Sequence, residues 1–167
     1  HNQCTFCGMY KDRKYRVRSL EEIKTDIRMA MDYYQDVEKV FLCDGDAVAM
    51  ETDMLLEILR ALHAAFPSLR HVGTYVGPQS TLAKSMGDLT ALRAAGLTKV
   101  YLGVETGDDR LLAEIHKGVT AEEMLQAGQN LVTAGFNLSS MVLLGIAGNG
   151  QRAREHAIAT AEITNAM

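Results

Sequence analysis

Val100-Tyr101-Leu102-Gly103-Val104-Glu105-Thr106-Gly107-Asp108-Asp109 reads as an apolar run that ends in an acidic, glycine-broken turn. A nearly continuous apolar run of this length suits a strand covered on both faces. A helical pattern follows at once, from about Arg110 to His116, and ends near Gly118. Strand, turn and helix make the βα unit of a parallel sheet. Three further runs repeat it: Val40-Phe41-Leu42-Cys43, Val72-Gly73-Thr74-Tyr75-Val76 and Met141-Val142-Leu143-Leu144. Helical segments fill the intervals. The first opens at Ser19 with Glu22 three residues on, a capping box, and sets Ile23, Ile27 and Met31 four residues apart. Others run from about Thr52 to Ala65, stopping before Pro67, and from about Gly87 to Ala95, with Gly96 as the C′ residue. A second capping box, Thr120 to Glu123, opens a helix that ends at Gly135, and a last helix begins near Gln151. Parallel strands with right-handed crossovers predict an α/β fold. Four such units make a partial (β/α) barrel, about half of an eight-unit barrel that needs ~250 residues.

Composition narrows the function. The chain has 167 residues, 47% hydrophobic and 23% charged, with two prolines. This is ordinary globular composition and about one domain's length. The longest apolar run, Met141 to Ile146, falls far short of the ~20 residues a membrane span needs. Seventeen basic against 21 acidic residues give a net charge of −4, the wrong balance for a nucleic-acid partner. Three cysteines without a signal peptide make no disulfide framework and point to a reducing, cytoplasmic setting. The chain opens at His1 without Met and stops inside a helical pattern at Met167. Residues 1–167 therefore read as a single partial domain truncated at both ends, with a strand expected just before His1. The strand left at that edge invites pairing with another chain, so self-association is expected.

Parallel sheets bind ligands where their strands end, and the unusual residues of this chain fall there. The expected first strand is followed by Cys4-Thr5-Phe6-Cys7, and the visible ones by Asp44-Gly45-Asp46, Gly77-Pro78-Gln79, Glu105-Thr106-Gly107 and Gly145-Ile146-Ala147-Gly148. Two thiols three residues apart either ligate a metal centre or form a redox dithiol, or are incidental. Asp44 and Asp46 either accept from an ammonium group or cap the next helix. Glu105 either accepts two hydroxyl protons at once or forms a cap or salt bridge. The glycines of 145–148 allow close backbone approach, and Ile146 offers an apolar face. Lys117 either meets a carboxylate or complements a helix C-terminus. One of Ser139 and Ser140 faces the barrel interior, unless both bond to backbone. The stretch Lys11 to Arg18, with five basic residues and one acidic, reads as a solvated loop or as a contact for an anionic substrate or redox partner. Cys43 reads as a small core residue.

His1-Asn2-Gln3-Cys4-Thr5-Phe6-Cys7 resembles the latter part of the Cys-x3-Cys-x2-Cys loop of radical S-adenosyl-L-methionine (SAM) enzymes, with Phe6 in the aromatic position before the last cysteine. The first cysteine of that loop then falls on the residue just before His1. Phe41-Leu42-Cys43-Asp44-Gly45-Asp46 is similar to the family's Gly-Gly-Glu element, in an Asp-Gly-Asp form. Val100 to Gly107 resembles its strand ending in Gly-x-Glu-Ser/Thr-Gly, Leu144 to Gly148 its adenine-packing element, and Ile115-His116-Lys117-Gly118 a further family pattern. The resemblance implies that Cys4 and Cys7 hold a 4Fe-4S cluster whose open iron takes the amino and carboxylate groups of SAM. Asp44, Gly45 and Asp46 would bind the SAM amino group, Glu105 the ribose, Gly145 and Ile146 the adenine, Lys117 the carboxylate and Ser140 the methionine part. It also implies a parent enzyme of the iron–sulfur oxidoreductase group. Such an enzyme cleaves SAM reductively to a 5′-deoxyadenosyl radical that abstracts hydrogen from a substrate, here unknown, with electrons from a flavodoxin or ferredoxin. With one cluster cysteine outside the sequence, residues 1–167 alone are expected to be inactive. Two other readings stay open: a βα scaffold whose Cys4 and Cys7 hold zinc or act as a dithiol, and a non-catalytic fragment.

Overall fold

The computed structural model describes residues 4–8 and 16–167. Helix α1 (Leu20–Tyr33) leads into strand β1 (Lys39–Asp46), and α2 (Thr52–Ala65) into β2 (His71–Val76). Two helices, α3 (Pro78–Leu82) and α4 (Met86–Ala94), precede β3 (Leu97–Glu105). Helices α5 (Asp109–Glu114) and α6 (Ala121–Thr133) lie between β3 and β4 (Asn137–Val142), and α7 (Gln151–Ala166) follows. The four strands form one parallel sheet in the order β1-β2-β3-β4. This is the α/β partial barrel that the sequence predicts.

Local signals set the element boundaries. Ser19, Ser85 and Thr120 each cap a helix in a reciprocal box with an acidic side chain three residues on. Gly96 and Gly135, at φ +104° and +88°, end α4 and α6 in the left-handed region. Two boundaries differ from expectation. Gly77-Pro78-Gln79 reads as the loop after the second strand, but proline at the first helical position starts the short α3 there. The apolar run Met141–Leu144, with Ser139 and Ser140 on the same strand, is the sequence expectation for the last strand. The strand instead begins at Asn137, because β3 pairs with it from Lys99↔Asn137 to Glu105↔Val142. Leu144, just past its end, is 91% exposed. Pairing with a long neighbour overrides the weak strand propensity of Asn137 and the serines.

A sequential, all-parallel order with crossovers of one hand puts every helix on the same side of the sheet. The core lies there. Val72, Val76, Val100, Leu102 and Val104 pack against Leu55, Leu59, Leu89, Leu92, Met124 and Leu131, all buried. The other face is open in the described residues. It carries a ring cluster of Phe41, Tyr75 and Tyr101, with centroids 4.9 to 5.9 Å apart, and Lys99 Nζ 5.0 Å from the Tyr101 ring. Cys43 is a correction to the sequence reading. It is exposed on edge strand β1, its thiol 3.7 Å from the Phe41 carbonyl, because it alternates with Val40 and Leu42 onto the face of Phe41, which no described element covers. Most of the basic stretch Lys11 to Arg18, residues 11–15, lies outside the described residues. Arg16 and Arg18 pair with Glu22 and Asp26 on the surface of α1. No helix among the described residues is long and apolar enough to cross a membrane.

Candidate cofactor site

The site gathers at the C-terminal ends of the strands, and a continuous set of polar contacts links the loops there. The Cys4–Cys7 turn is closed by Cys7 N–H donating to the Cys4 carbonyl at 3.2 Å. Thr5 N–H donates to the Ile115 carbonyl at 2.9 Å, which docks the turn beside the end of α5. Two residues on, Lys117 reaches Glu105 Oε1 at 3.0 Å, with both side chains about one-tenth exposed. The Glu105 carbonyl accepts from Leu143 N–H at 3.0 Å, which ties it to the loop carrying Gly145. On the other side, Gln79 Nε2 donates to the Gly118 carbonyl, and Gly77 N–H to Asp46 Oδ2, both at 2.9 Å. All five loops singled out in the sequence are thus joined.

Glu105 sits in a strained turn. Thr106 N–H donates to the Val104 carbonyl at 2.8 Å, and Glu105, between them, has φ +64°. A γ-turn with a positive central φ is rare, and a side chain held there costs about 1–3 kcal/mol. The turn folds the carboxylate back over Gly103. A Cβ at Gly103 would lie 2.7 Å from Glu105 Oε1 and 3.0 Å from Lys117 Nζ, so the glycine makes room for the ion pair. Removing one partner of so buried a pair costs about 3–5 kcal/mol, because the other is left uncompensated.

The cysteines share this environment. Burial pushes the Cys4 thiol above its ordinary pKa, Lys117 opposes the shift, and Glu105 and Cys7 add to it. Both thiols are free and half-buried, and the nearby Phe6 is 46% exposed. Soft thiolates on one tight turn fit an iron–sulfur centre. They fill two positions of a three-cysteine set. Among the described residues, no three metal-ligating side chains gather at one point.

Other expected residues fall differently. Asp46 turns into the fold: Oδ2 takes the Gly77 N–H and the Ser80 hydroxyl, and the carboxylate also holds the Val48 and Ala49 amides. Burial raises its pKa, while these hydrogen bonds lower it. Asp44 is exposed, with φ +66°, and the space a Cβ at Gly45 would take is open. The Asp46 carboxylate is thus engaged within the fold. Gly145, at φ +81°, also faces open space, and Ile146 is half-buried. The pleat corrects the choice of serine. Ser140 is in register with Leu102 on the helix side, its hydroxyl 3.6 Å from Met167 Sδ. Ser139, in register with Tyr101, shares the open face.

Two contributors escape sequence reading. His156 and Thr160 of α7 are both 5% exposed and bond to the turn after Glu105. Polar residues four apart in an alanine-rich helix are the only local sign of them.

The family model for the Radical SAM superfamily matches residues 1–161. The chain belongs to the radical SAM superfamily. No curated protein matches it. Among solved structures it is similar to the cobalamin-dependent S-adenosylmethionine radical enzyme OxsB with aqua-cobalamin and S-adenosylmethionine bound, at TM-score 0.75 and 16% identity over 96% of this chain and 24% of that one. It is also similar to coproporphyrinogen III oxidase from Escherichia coli, a radical SAM enzyme, at TM-score 0.74 and 15% identity over 98% of this chain and 38% of that one. Methylornithine synthase follows at TM-score 0.70 and 19% identity, over 99% of this chain and 47% of that one. The chain thus spans between a quarter and a half of the length of these structures, and at such identities the likeness is one of fold.

Proposed function

We propose that this chain is the cluster- and nucleoside-binding part of a radical SAM enzyme. The observation that carries the reading is the docking of the Cys4–Cys7 turn, through Thr5 and Ile115, beside the buried Glu105–Lys117 pair. It sets two thiols, a carboxylate and a cation together at the strand ends. Bound there, a 4Fe-4S cluster and SAM would supply a one-electron cleavage that yields a 5′-deoxyadenosyl radical for hydrogen abstraction. Cys4 and Cys7 would provide thiolates. Glu105 would accept the ribose hydroxyls, and Lys117, already beside it, would balance a carboxylate. The backbone carbonyls of Asp44 and Gly45 would accept from the amino group. Gly145 and Ile146 would pack on the adenine, Phe6 would shield the cluster edge, and Ser139 would face the methionine part. The protein's own work is orientation and the exclusion of water.

The electron donor in this reading is a flavodoxin- or ferredoxin-type protein, the compartment is reducing and cytoplasmic, and the substrate enters over the open face of the sheet. Substitution of Glu105 tests the assignment. Hydrogen bonds to a charged acceptor contribute about 1.5–3 kcal/mol. Glu105→Ala, in the anaerobically reconstituted full-length parent enzyme, should therefore weaken SAM binding about ten- to a hundredfold, read by equilibrium dialysis. Undiminished affinity would remove Glu105 from the ribose site. Uptake of zinc in place of iron, with no response to SAM, would favour a structural metal site instead.

A further inference from the structure

The turn that presents Glu105 is held by a helix far along the chain. Thr106 shares a hydrogen bond of 2.8 Å with His156 Nδ1, and the Thr106 hydroxyl accepts from Asp108 N–H at 3.0 Å. One helical turn on, Thr160 accepts from Gly107 N–H at 3.0 Å and donates back to the His156 carbonyl at 2.6 Å. Backbone contact is just as tight: a Cβ at Gly107 would stand 2.3 Å from the Ala159 carbonyl oxygen. The residues after Glu105 are thereby fixed to α7, while Thr106 N–H closes the strained turn on Val104. A strained conformation persists only where its surroundings over-determine it: Lys117 holds the Glu105 carboxylate and Leu143 N–H its carbonyl, while His156, Thr160 and the α7 backbone fix the residues that follow.

We infer that His156 and Thr160 are positioning residues for the Glu105 carboxylate, and that α7 thereby sets the preference of the site for a ribose over a deoxyribose. The inference rests on the assignment of Glu105 to the ribose hydroxyls. Glu105 needs a fixed direction to accept from a diol. Without the clasp, the turn relaxes to an ordinary φ and the carboxylate swings away from Gly103. Hydrogen bonds to a charged group then form with neither hydroxyl in particular, so the distinction between the two sugars goes before overall binding does.

The experiment measures binding of SAM and of its 2′-deoxy analogue to the reconstituted full-length parent enzyme by equilibrium dialysis. The wild-type protein should prefer SAM by roughly ten- to a hundredfold. His156→Ala and the isosteric Thr106→Val should bring that ratio close to one. His156→Asn, whose Oδ1 stands near the place of Nδ1, and Thr106→Ser should restore most of it. A role in folding alone would lower the melting temperature and both affinities together and leave the ratio unmoved, which would overturn the inference. If Glu105→Gln abolishes the ratio while Thr106→Val keeps it, the carboxylate assignment stands and the clasp is wrong. If Glu105→Gln keeps the ratio, the assignment beneath both fails.

Discussion

Gly107 shows how little freedom the site leaves a single residue. Its missing side chain lets the backbone of α7 reach the turn after Glu105, with the Ala159 carbonyl oxygen 2.3 Å from where a Cβ would stand. Backbone atoms cannot swing aside as a side-chain tip can. Gly107→Ala should therefore cost about 1–3 kcal/mol, the usual penalty of overpacking. The urea midpoint should fall with its slope unchanged. Gly103 is the gentler case, because the atoms crowding it are the ends of Glu105 and Lys117. A midpoint for Gly107→Ala equal to wild type would mean that α7 stands further from the turn. Both glycines are plain in the sequence, but their reasons are not. The Gly-x-Glu-Thr-Gly pattern marks a strand end, whereas the partner that requires Gly107 lies some fifty residues away.

The helices were the most legible elements, because their signals are local. The capping boxes at Ser19 and Thr120 and the glycines after α4 and α6 each rest on contacts within four residues. The first box carries a pH signature. Arg16 and the Ser19 backbone N–H hold the Glu22 carboxyl down at about 2, below its ordinary 4.5. A depressed carboxylate contributes stability above its unfolded value, and that contribution is lost as pH falls through the folded one. The stability of wild type relative to Glu22→Gln should thus be constant above about pH 5 and shrink between about pH 4.5 and 2. Parallel acid limbs for the two proteins in urea titrations would show that the Arg16 contact does not persist in solution. Strands were harder to bound. The extent of β4 is set by pairing with β3 across nearly forty residues, so its own apolar run misplaced it. The positive φ of Glu105 had no sequence signal either, since glutamate gives no hint of a left-handed turn.

On the scale of the molecule, the sheet has a packed side and an open side, and the expected chemistry lies along the rim between them. The parallel order followed from the alternation of βα units. The openness did not, because apolar runs such as Val40–Cys43 look alike whether one face or two are covered. That ambiguity put Cys43 in the core when it lies exposed on β1. Its place also decides how iron should behave. Cys4 and Cys7 offer two thiolates on one turn, and Cys43 does not gather with them into a three-ligand group among the described residues. A 4Fe-4S cubane with one open iron needs three thiolates. Two leave a second iron exposed to solvent, and ligand geometry and metal affinity rise and fall together. A polypeptide of residues 1–167 reconstituted anaerobically with iron and sulfide should therefore hold well under four irons per chain and form no 5′-deoxyadenosine from SAM. The same polypeptide lengthened by a cysteine before His1 should take up about four irons and show a SAM-dependent change in its electron paramagnetic resonance spectrum. Four stable irons in the shorter polypeptide would place a cluster ligand outside the Cys4–Cys7 turn. Failure of both polypeptides to take up iron, with zinc bound instead, would point to a different metal for these thiols.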